Sequence, residues 1–343
     1  MNKLSTIRYM GNKANLLDEI IPAIQKITPK DGIVLDIMAG SNSVSYALKE
    51  FFTVYTNDIQ QYSYIISKAV IENQTETISS QKAKEELENY IKKNRKEKRY
   101  NFFEKTYSDT YFSKEQCIDI DSIRFAIENT KNEYRKNLYL FALMDAMCKV
   151  QSTPGHFAQF MPKEHKRIIP LQQMDLFKIF LEKCNDYSKI CFTDKKNKSF
   201  CMDYKELIKK NEIENVDTIY LDSPYSQEQY SRFYHVLETV CKYDSPKVNY
   251  KAKYRDGRFQ SDFCYKGKVK QEFENIISYC SNNKKNLVIS YSDHSLFPVS
   301  ELEILCKSYF KNVHSKYINY KHSTQGKGSN ALHEVVVSCS NIA

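Results

Sequence analysis

The four residues Asp222-Ser223-Pro224-Tyr225 follow an apolar run, Thr218-Ile-Tyr-Leu221, and their types suit a defined chemistry. A carboxylate, a rigid turn and an exposed aromatic at the carboxyl edge of a strand fit a planar ring that bears an amino group. Such a nitrogen, as on adenine, is a poor nucleophile because its lone pair is delocalised into the ring. If the Asp222 carboxylate and the Ser223 carbonyl oxygen both accept its hydrogens, the nitrogen can pyramidalise and aim that pair at an electrophilic methyl carbon. Tyr225 would stack on the ring, and a base held in a duplex would first have to flip out. Taken alone, four residues also read as an ordinary turn after a strand.

A second constellation lies upstream: Asp36-Ile-Met-Ala-Gly40-Ser-Asn-Ser43, followed by Asn57-Asp58. A strand that ends at a glycine turn lets the backbone approach a ligand at the mouth of a sheet, and an acid at the tip of the next strand can accept both hydroxyls of a ribose. That fits an adenosine-containing cofactor. The glycine pattern of dinucleotide enzymes is absent, since Gly40 stands alone with Asn42 where a second glycine would be. Without a run of amides for a pyrophosphate, S-adenosylmethionine is favoured over NAD. A third element, Arg8-Tyr-Met-Gly-Asn-Lys13, places a lysine and an aromatic where they could hold a carboxylate and stack on a ligand, or simply cap a helix.

These residues need a frame. Leu17, Ile20, Ile21 and Ile24 recur at helical spacing over 14–27, with Pro22 expected to kink or split that helix. Residues 33–37 read as a buried strand, 43–51 as a helix and 52–56 as a second strand, the opening of a doubly wound α/β sheet. The alternation then stops. The charged stretch from Gln81 to Arg99 reads as a solvated helix and 136–150 as another, so this block is expected to be an inserted, largely helical unit. Strand signals resume at 218–221, 287–291 and 334–338, while 245–270 reads as a long polar, basic and aromatic loop.

The composition sets bounds. Among 343 residues, 41% are hydrophobic and 27% charged, which is ordinary for a globular protein with a sizeable core. No apolar run approaches a membrane span and no signal-peptide pattern opens the chain, so a cytoplasmic protein without a membrane is expected. Ten cysteines form no C-x-x-C pair, and His, Cys and Asp never cluster at ligand spacing; buried thiols and no metal are expected. The net charge of +9, with 26 Tyr and 19 Phe, suits a polyanion and stacking on bases. An AT-rich genome yields a similar composition, so composition alone does not decide the partner.

Together the three motifs resemble those of Dam-type N6-adenine DNA methyltransferases, the D12 class in its α arrangement. That family carries R-Y-x-G-[NS]-K, then D-x-F-x-G-S-G-S, N-D, a target-recognition insertion and D-P-P-Y. Here RYMGNK (8–13), DIMAGSNS (36–43), ND (57–58), an insertion and DSPY (222–225) occur in that order. The resemblance covers roughly 1–75 and 200–343. It implies a Rossmann-like S-adenosylmethionine-dependent sheet in two parts, 1–75 and 201–343, around an inserted, mainly helical target-recognition domain at 76–200.

By that similarity, Tyr9 and Lys13 contact the methionine part of the cofactor, and Asp36 and Gly40 line its pocket with Met38, Ala39, Ser41 and Ile59. Asp58 binds the ribose, Asp203 the adenine amino group, and Tyr204 packs on the adenine ring. Asp222, Ser223, Pro224 and Tyr225 form the catalytic set. Met38 replaces the usual Phe and keeps an apolar contact. Asn42 replaces a Gly and should adopt a left-handed φ. Ser223 replaces the first Pro while keeping the backbone carbonyl. Arg232, Tyr234 and His235 are expected to meet a phosphate or close over the flipped base, or else to form a helix with core aromatics. Lys251, Lys253, Arg255 and Arg258 are expected to track a DNA backbone.

The implied activity is site-specific methyl transfer to N6 of a flipped adenine in double-stranded DNA, in restriction–modification, phage defence or epigenetic marking. The implied partners are duplex DNA and a cognate restriction or defence component. Two alternatives stand beside it: an RNA adenine methyltransferase with the same pocket, and a non-catalytic DNA-binding subunit that retains the fold. Protein-glutamine methyltransferases share a related turn but usually lack the R-Y-x-G-N-K start.

Overall fold

The computed structural model describes residues 4, 7, 9, 11–320 and 332–341. Arg8 and Met10 of the N-terminal motif lie outside the described residues, and Tyr320 and Leu332 are described by backbone alone.

Nine strands and fourteen α-helices are described. The strands are β1 (Ile33–Asp36), β2 (Thr53–Asn57), β3 (Lys198–Phe200), β4 (Thr218–Leu221), β5 (Val248–Asn249), β6 (Tyr254–Arg255), β7 (Asn286–Ser292), β8 (Asn312–Tyr320) and β9 (Leu332–Ser340). All but β5 and β6 form one seven-stranded sheet in the order β3-β2-β1-β4-β7-β9-β8. The first five run parallel; β9 is antiparallel to both β7 and β8. Apolar residues alternate between faces. Val34, Val54 and Val288 join one apolar cluster, whereas Leu35, Leu287 and Ile289 join the other. Both faces of β1, β4 and β7 are therefore buried, which is why these strands read as short continuous apolar runs. The expected α/β sheet is thus present as a mixed, mostly parallel one. The edge strand β8 (NVHSKYINY) is mostly exposed and polar, as an unpaired edge favours; no apolar run marked it in the sequence.

The helices α1 (Leu17–Ile27), α2 (Ser43–Leu48) and α3 (Gln61–Ser67) cover the first face. Pro22 does not split α1, which is continuous from Leu17 to Ile27. Its ring lies on the exposed side, so the carbonyl that loses a partner can turn to water while Leu17, Ile20, Ile21 and Ile24 stay buried. Between β2 and β3 lie α4 (Ser80–Glu97), α5 (Phe102–Tyr107), α6 (Lys114–Glu128), α7 (Glu133–Val150), α8 (Ile168–Gln172) and α9 (Leu176–Asp186). Their apolar residues, including Leu87, Ile123, Phe141 and Phe180, are continuous with the core on that face. After β3 come α10 (Tyr204–Leu207), α11 (Tyr230–Phe233), α12 (His235–Lys242), α13 (Val269–Asn282) and α14 (Val299–Tyr309). The region 245–270 is not wholly loop: β5 and β6 pair as a short antiparallel ribbon. Among the described residues no helix is long and apolar enough to cross a membrane.

Connections from β1 lead outward to β2 and β3, whereas β4 and β7 extend the sheet the other way. The crevice at the carboxyl ends of β1 and β4 is therefore where such a sheet receives a ligand.

Candidate active site

Asp36 ends β1, and the chain turns at once. The Ile37 amide donates to Tyr220 O (3.1 Å) and the Ala39 amide to Asn57 O (2.9 Å), pinning the turn between the flanking strands. Asn57 fastens it again, its Nδ2 donating to Ile37 O (3.2 Å) and Met202 O (3.1 Å). Gly40 has φ +49°, and a Cβ there would lie 3.0 Å from the Tyr9 hydroxyl oxygen. Asn42 has the expected left-handed backbone, φ 61° and ψ 16°. Its fully buried side chain donates to Ser63 O (3.2 Å) and accepts from Ser67 Oγ (2.6 Å), tying the start of α2 to α3 as a glycine could not.

Two carboxylates face this turn. Asp58 accepts the Gly40 amide on Oδ2 (2.9 Å) and the Gln60 amide on Oδ1 (2.8 Å), leaving one lone pair on each oxygen. Burial raises its pKa to about 6 against those bonds. Asp36 accepts from Ser45 Oγ on Oδ2, while buried Oδ1 has no hydrogen-bond partner among the described residues. Burial lifts Asp36 to about 7, with the charges of Asp222 and Asp58 adding to the effect.

Asp222 follows β4. Its Oδ1 lies 3.2 Å from Lys13 Nζ, and Lys13 is only 3% exposed. Lys13 Nζ also stands 3.7 Å from Glu334 Oε2 and 5.5 Å from the centre of the Tyr225 ring. Burial works to lower the Lys13 pKa, but Asp222 and Glu334 outweigh it and the net shift is upward. Burial raises Asp222, partly offset by Lys13. Ser223 is buried and Tyr225 half-buried beside Gly11. Gly11, with φ +73°, has no room for a side chain, because a Cβ would sit 2.9 Å from the Tyr230 hydroxyl oxygen.

The turn at Asp36 to Ser41, Asp58, Lys13 and the stretch from Asp222 to Pro224 open into one cleft, which neither Tyr225 nor Glu334 lines. Tyr9, Lys13, Asp36, Met38, Ala39, Gly40, Ser41, Asp58, Ile59, Asp203, Tyr204, Asp222, Ser223 and Pro224 all line it. Asp203 caps α10, its Oδ1 accepting the Lys205 amide at 2.8 Å, and the Tyr204 hydroxyl donates to Glu272 at 2.6 Å. Sequence reasoning missed the opposite wall, Gln229, Tyr230 and residues 259–262. Gln229 binds Ser261 twice, Nε2 donating to its carbonyl (3.1 Å) and Oε1 accepting its amide (2.7 Å), while Ser231 Oγ donates to Phe259 O (2.6 Å). The segment after the Asp222 turn thus holds residues 259–262 over the cleft.

The residues expected on DNA divide. Tyr234 is 1% exposed and stacks on Tyr9, ring centres 4.7 Å apart. His235 is fully buried, bonded through Nε2 to Phe157 O at 3.0 Å, and burial lowers its pKa to about 3. Arg255 is buried, paired with Asp244 at 2.6 Å. These three are packing residues, and the phosphate contact expected of His235 and Arg255 does not fit their burial; an arginine paired inside the fold looks like a surface one in sequence. Arg232 and Arg258 remain half-buried against the Tyr254 ring, 5.6 and 4.9 Å from its centre. Lys253 donates to Thr106 O, and Lys251 is exposed. No group of three or more His, Cys, Asp or Glu side chains that could hold a metal occurs among the described residues.

Residues 9–303 match the model of the D12 class N6 adenine-specific DNA methyltransferases. The chain belongs to that family. Its relatives include Modification methylase StsI of Streptococcus sanguinis, 29% identical over 88% of this chain and 46% of that protein. Modification methylase LlaI of Lactococcus lactis subsp. lactis is 28% identical over 96% of this chain and 54% of its own length. The chain thus spans about half the length of these two. Type II methyltransferase M.NlaIII of Neisseria lactamica is 24% identical, with 92% of each chain covered. The family match runs from Tyr9 across both carboxylate turns.

Proposed function

We propose that this chain methylates N6 of adenine in double-stranded DNA with S-adenosylmethionine as donor. The observation that carries the reading is that the Gly40–Asp58 cradle and the Asp222 turn open into one cleft. The cleft suits the cofactor on its own terms. Gly40 leaves space that a Cβ would fill, Asp36 Oδ1 is buried without a hydrogen-bond partner, and Asp58 keeps acceptor capacity for a ribose. Tyr9, Met38, Gly40, Asp58, Asp203 and Tyr204 would hold it, with Asp36 as acceptor for its ammonium. When bound, S-adenosylmethionine supplies a methyl carbon made electrophilic by the sulfonium.

The chain's own groups do the rest. The free oxygen of Asp222 and the Ser223 carbonyl accept the two amino hydrogens of the adenine, so that its lone pair points toward the cofactor side. Tyr225 stacks on the base. Once methylated, the nitrogen carries a positive charge and gives one proton to Asp222, whose raised pKa makes it a fitting acceptor. The target-recognition role of 76–200, a cognate restriction or defence partner and a cytoplasmic setting belong to this proposal; the relatives' names, modification methylase and Type II methyltransferase, favour a modification role.

The test is transfer of labelled methyl from S-adenosylmethionine by the purified protein to unmethylated duplex DNA and to RNA in parallel. Label is expected in N6-methyladenine of DNA, falling by ~10²-fold or more in Asp222→Ala while DNA binding persists. Label in RNA alone would replace the substrate, and no label in either would overturn the reading.

A further inference from the structure

Glu334 has no part in that reaction as described. It lies on β9 opposite Ser292 of β7, is 3% exposed, and its Oε2 has no hydrogen-bond partner among the described residues. The nearest cation is Lys13, whose Nζ stands 3.7 Å from that oxygen and 3.2 Å from Asp222 Oδ1. One buried ammonium is therefore shared by a buried carboxylate, Glu334, and a partly exposed one, Asp222, which is the acid the reaction uses. Removing carboxylates from water is costly unless each is compensated, so the sharing has a consequence for both.

We infer that Glu334 is a positioning residue for methyl transfer: by competing for Lys13 it limits how strongly Lys13 holds Asp222, and so keeps Asp222 a strong acceptor for the adenine amino group. This rests on the proposed adenine-N6 reading. An ammonium given wholly to one carboxylate forms a charge-assisted bond of about 2.7–2.9 Å and weakens that carboxylate toward other donors. The 3.2 Å separation is longer than that, so Lys13 is not given wholly to Asp222. The groups facing Glu334 are Lys13 from the N-terminal segment, Tyr220 at the end of β4, Asp222 and Tyr225 in the turn that follows, and Asp293 after β7. His333 is engaged with Asp293 at 2.9 Å. Burial lifts Glu334 to about 6 in spite of Lys13, with Asp222 adding to the rise. Above that pH Glu334 is charged and competes with Asp222 for Lys13.

The test is Glu334→Gln, which keeps the shape and removes the charge, measured beside wild type and Glu334→Asp. Cofactor affinity and melting temperature are followed as checks on folding, and kcat is followed against pH on unmethylated duplex DNA. With Glu334 neutral, Lys13 favours the ionised form of Asp222, so the Asp222 pKa falls. The acid limb of the kcat profile is expected to move to lower pH, with the plateau reduced about tenfold and restored largely by Glu334→Asp. An unchanged profile, or a uniform loss with the limb unmoved, would overturn the inference. A wild type inert on DNA would overturn the methyltransferase reading by itself. The Asp222 carboxyl titration, followed by carbon NMR, then decides the present point. A lower value in Glu334→Gln supports it and an unmoved one overturns it.

Discussion

Gly40 donates its amide to Oδ2 of Asp58 at 2.9 Å, so the glycine turn after β1 and the acid after β2 are one unit. The bond forms because Gly40 takes φ +49°, which turns its amide toward the neighbouring strand and leaves Tyr9 close above it. Tyr9 cannot retreat easily, since its ring is stacked on Tyr234. Gly40→Ala should therefore cost ~1–2 kcal/mol from the left-handed backbone alone. It should also weaken cofactor binding at least ~10-fold, about 1.4 kcal/mol. Calorimetric titration with S-adenosylmethionine and thermal melting check both. Unchanged affinity would mean that the turn is not where the cofactor sits.

Asp36 ties cofactor binding to pH. Its pKa near 7 means that much of it carries a proton at pH 6 to 7 in the free protein. A cationic ammonium beside Oδ1 favours the charged form, so binding should release protons and affinity should rise as pH increases through this range. Titration in buffers of different ionisation enthalpy measures the release. Stability runs the other way. A carboxyl whose folded pKa is raised stabilises the protein below its unfolded value near 4, and that contribution is lost as pH rises through 7. Asp36→Asn should hence melt about 2 °C higher at pH 8, roughly 1 kcal/mol, while losing cofactor affinity. A variant that melts lower at pH 8 would contradict this account.

How far the site could be read depended on whether its groups are local in sequence. The turns at 36–43 and 222–225 are continuous strings after apolar strands, and even the conformation of Asn42 followed from its standing in a glycine position. Glu334 could not be found that way. Its neighbourhood, HEVVVS, reads only as a strand, and antiparallel pairing with β7 is what carries its carboxylate to Lys13. The edge strand β8 escaped because an edge need not be apolar, and the wall at 259–262 because it is fastened by side-chain-to-backbone bonds without periodicity. His235 and Arg255 went in the opposite direction: polar residue types were read as surface, but both side chains are buried, with His235 Nε2 bonded to Phe157 O and Arg255 paired with Asp244.

The Gln229–Ser261 pair carries the next prediction. Gln229 makes both bonds that hold Ser261 over the cleft, so Gln229→Ala leaves the Ser261 amide without its acceptor. Each bond is worth ~1 kcal/mol. Exchange of the Ser261 amide should accelerate, and kcat/KM for DNA should fall about tenfold, a loss of ~1.4 kcal/mol of transition-state stabilisation. If Ser261 exchanges at the wild-type rate, the clamp is not what fixes this wall.

The basic residues can be separated by salt dependence. Lys251 is exposed next to Tyr250 at the β5–β6 turn, and Tyr250 is 84% exposed, so neither is committed to the fold. If this ribbon follows a DNA backbone, Lys251→Ala should weaken binding similarly on all sequences and reduce the slope of log affinity against log salt by about 1. Melting temperature should stay put. Arg255→Ala should behave differently. It removes the buried partner of exposed Asp244 and of Thr239 Oγ1, so its first effect is a fold weakened by ~1 kcal/mol or more. Its salt slope should be unchanged once the protein is folded. A normal melting temperature for Arg255→Ala, together with a reduced slope, would return it to the DNA-contacting surface.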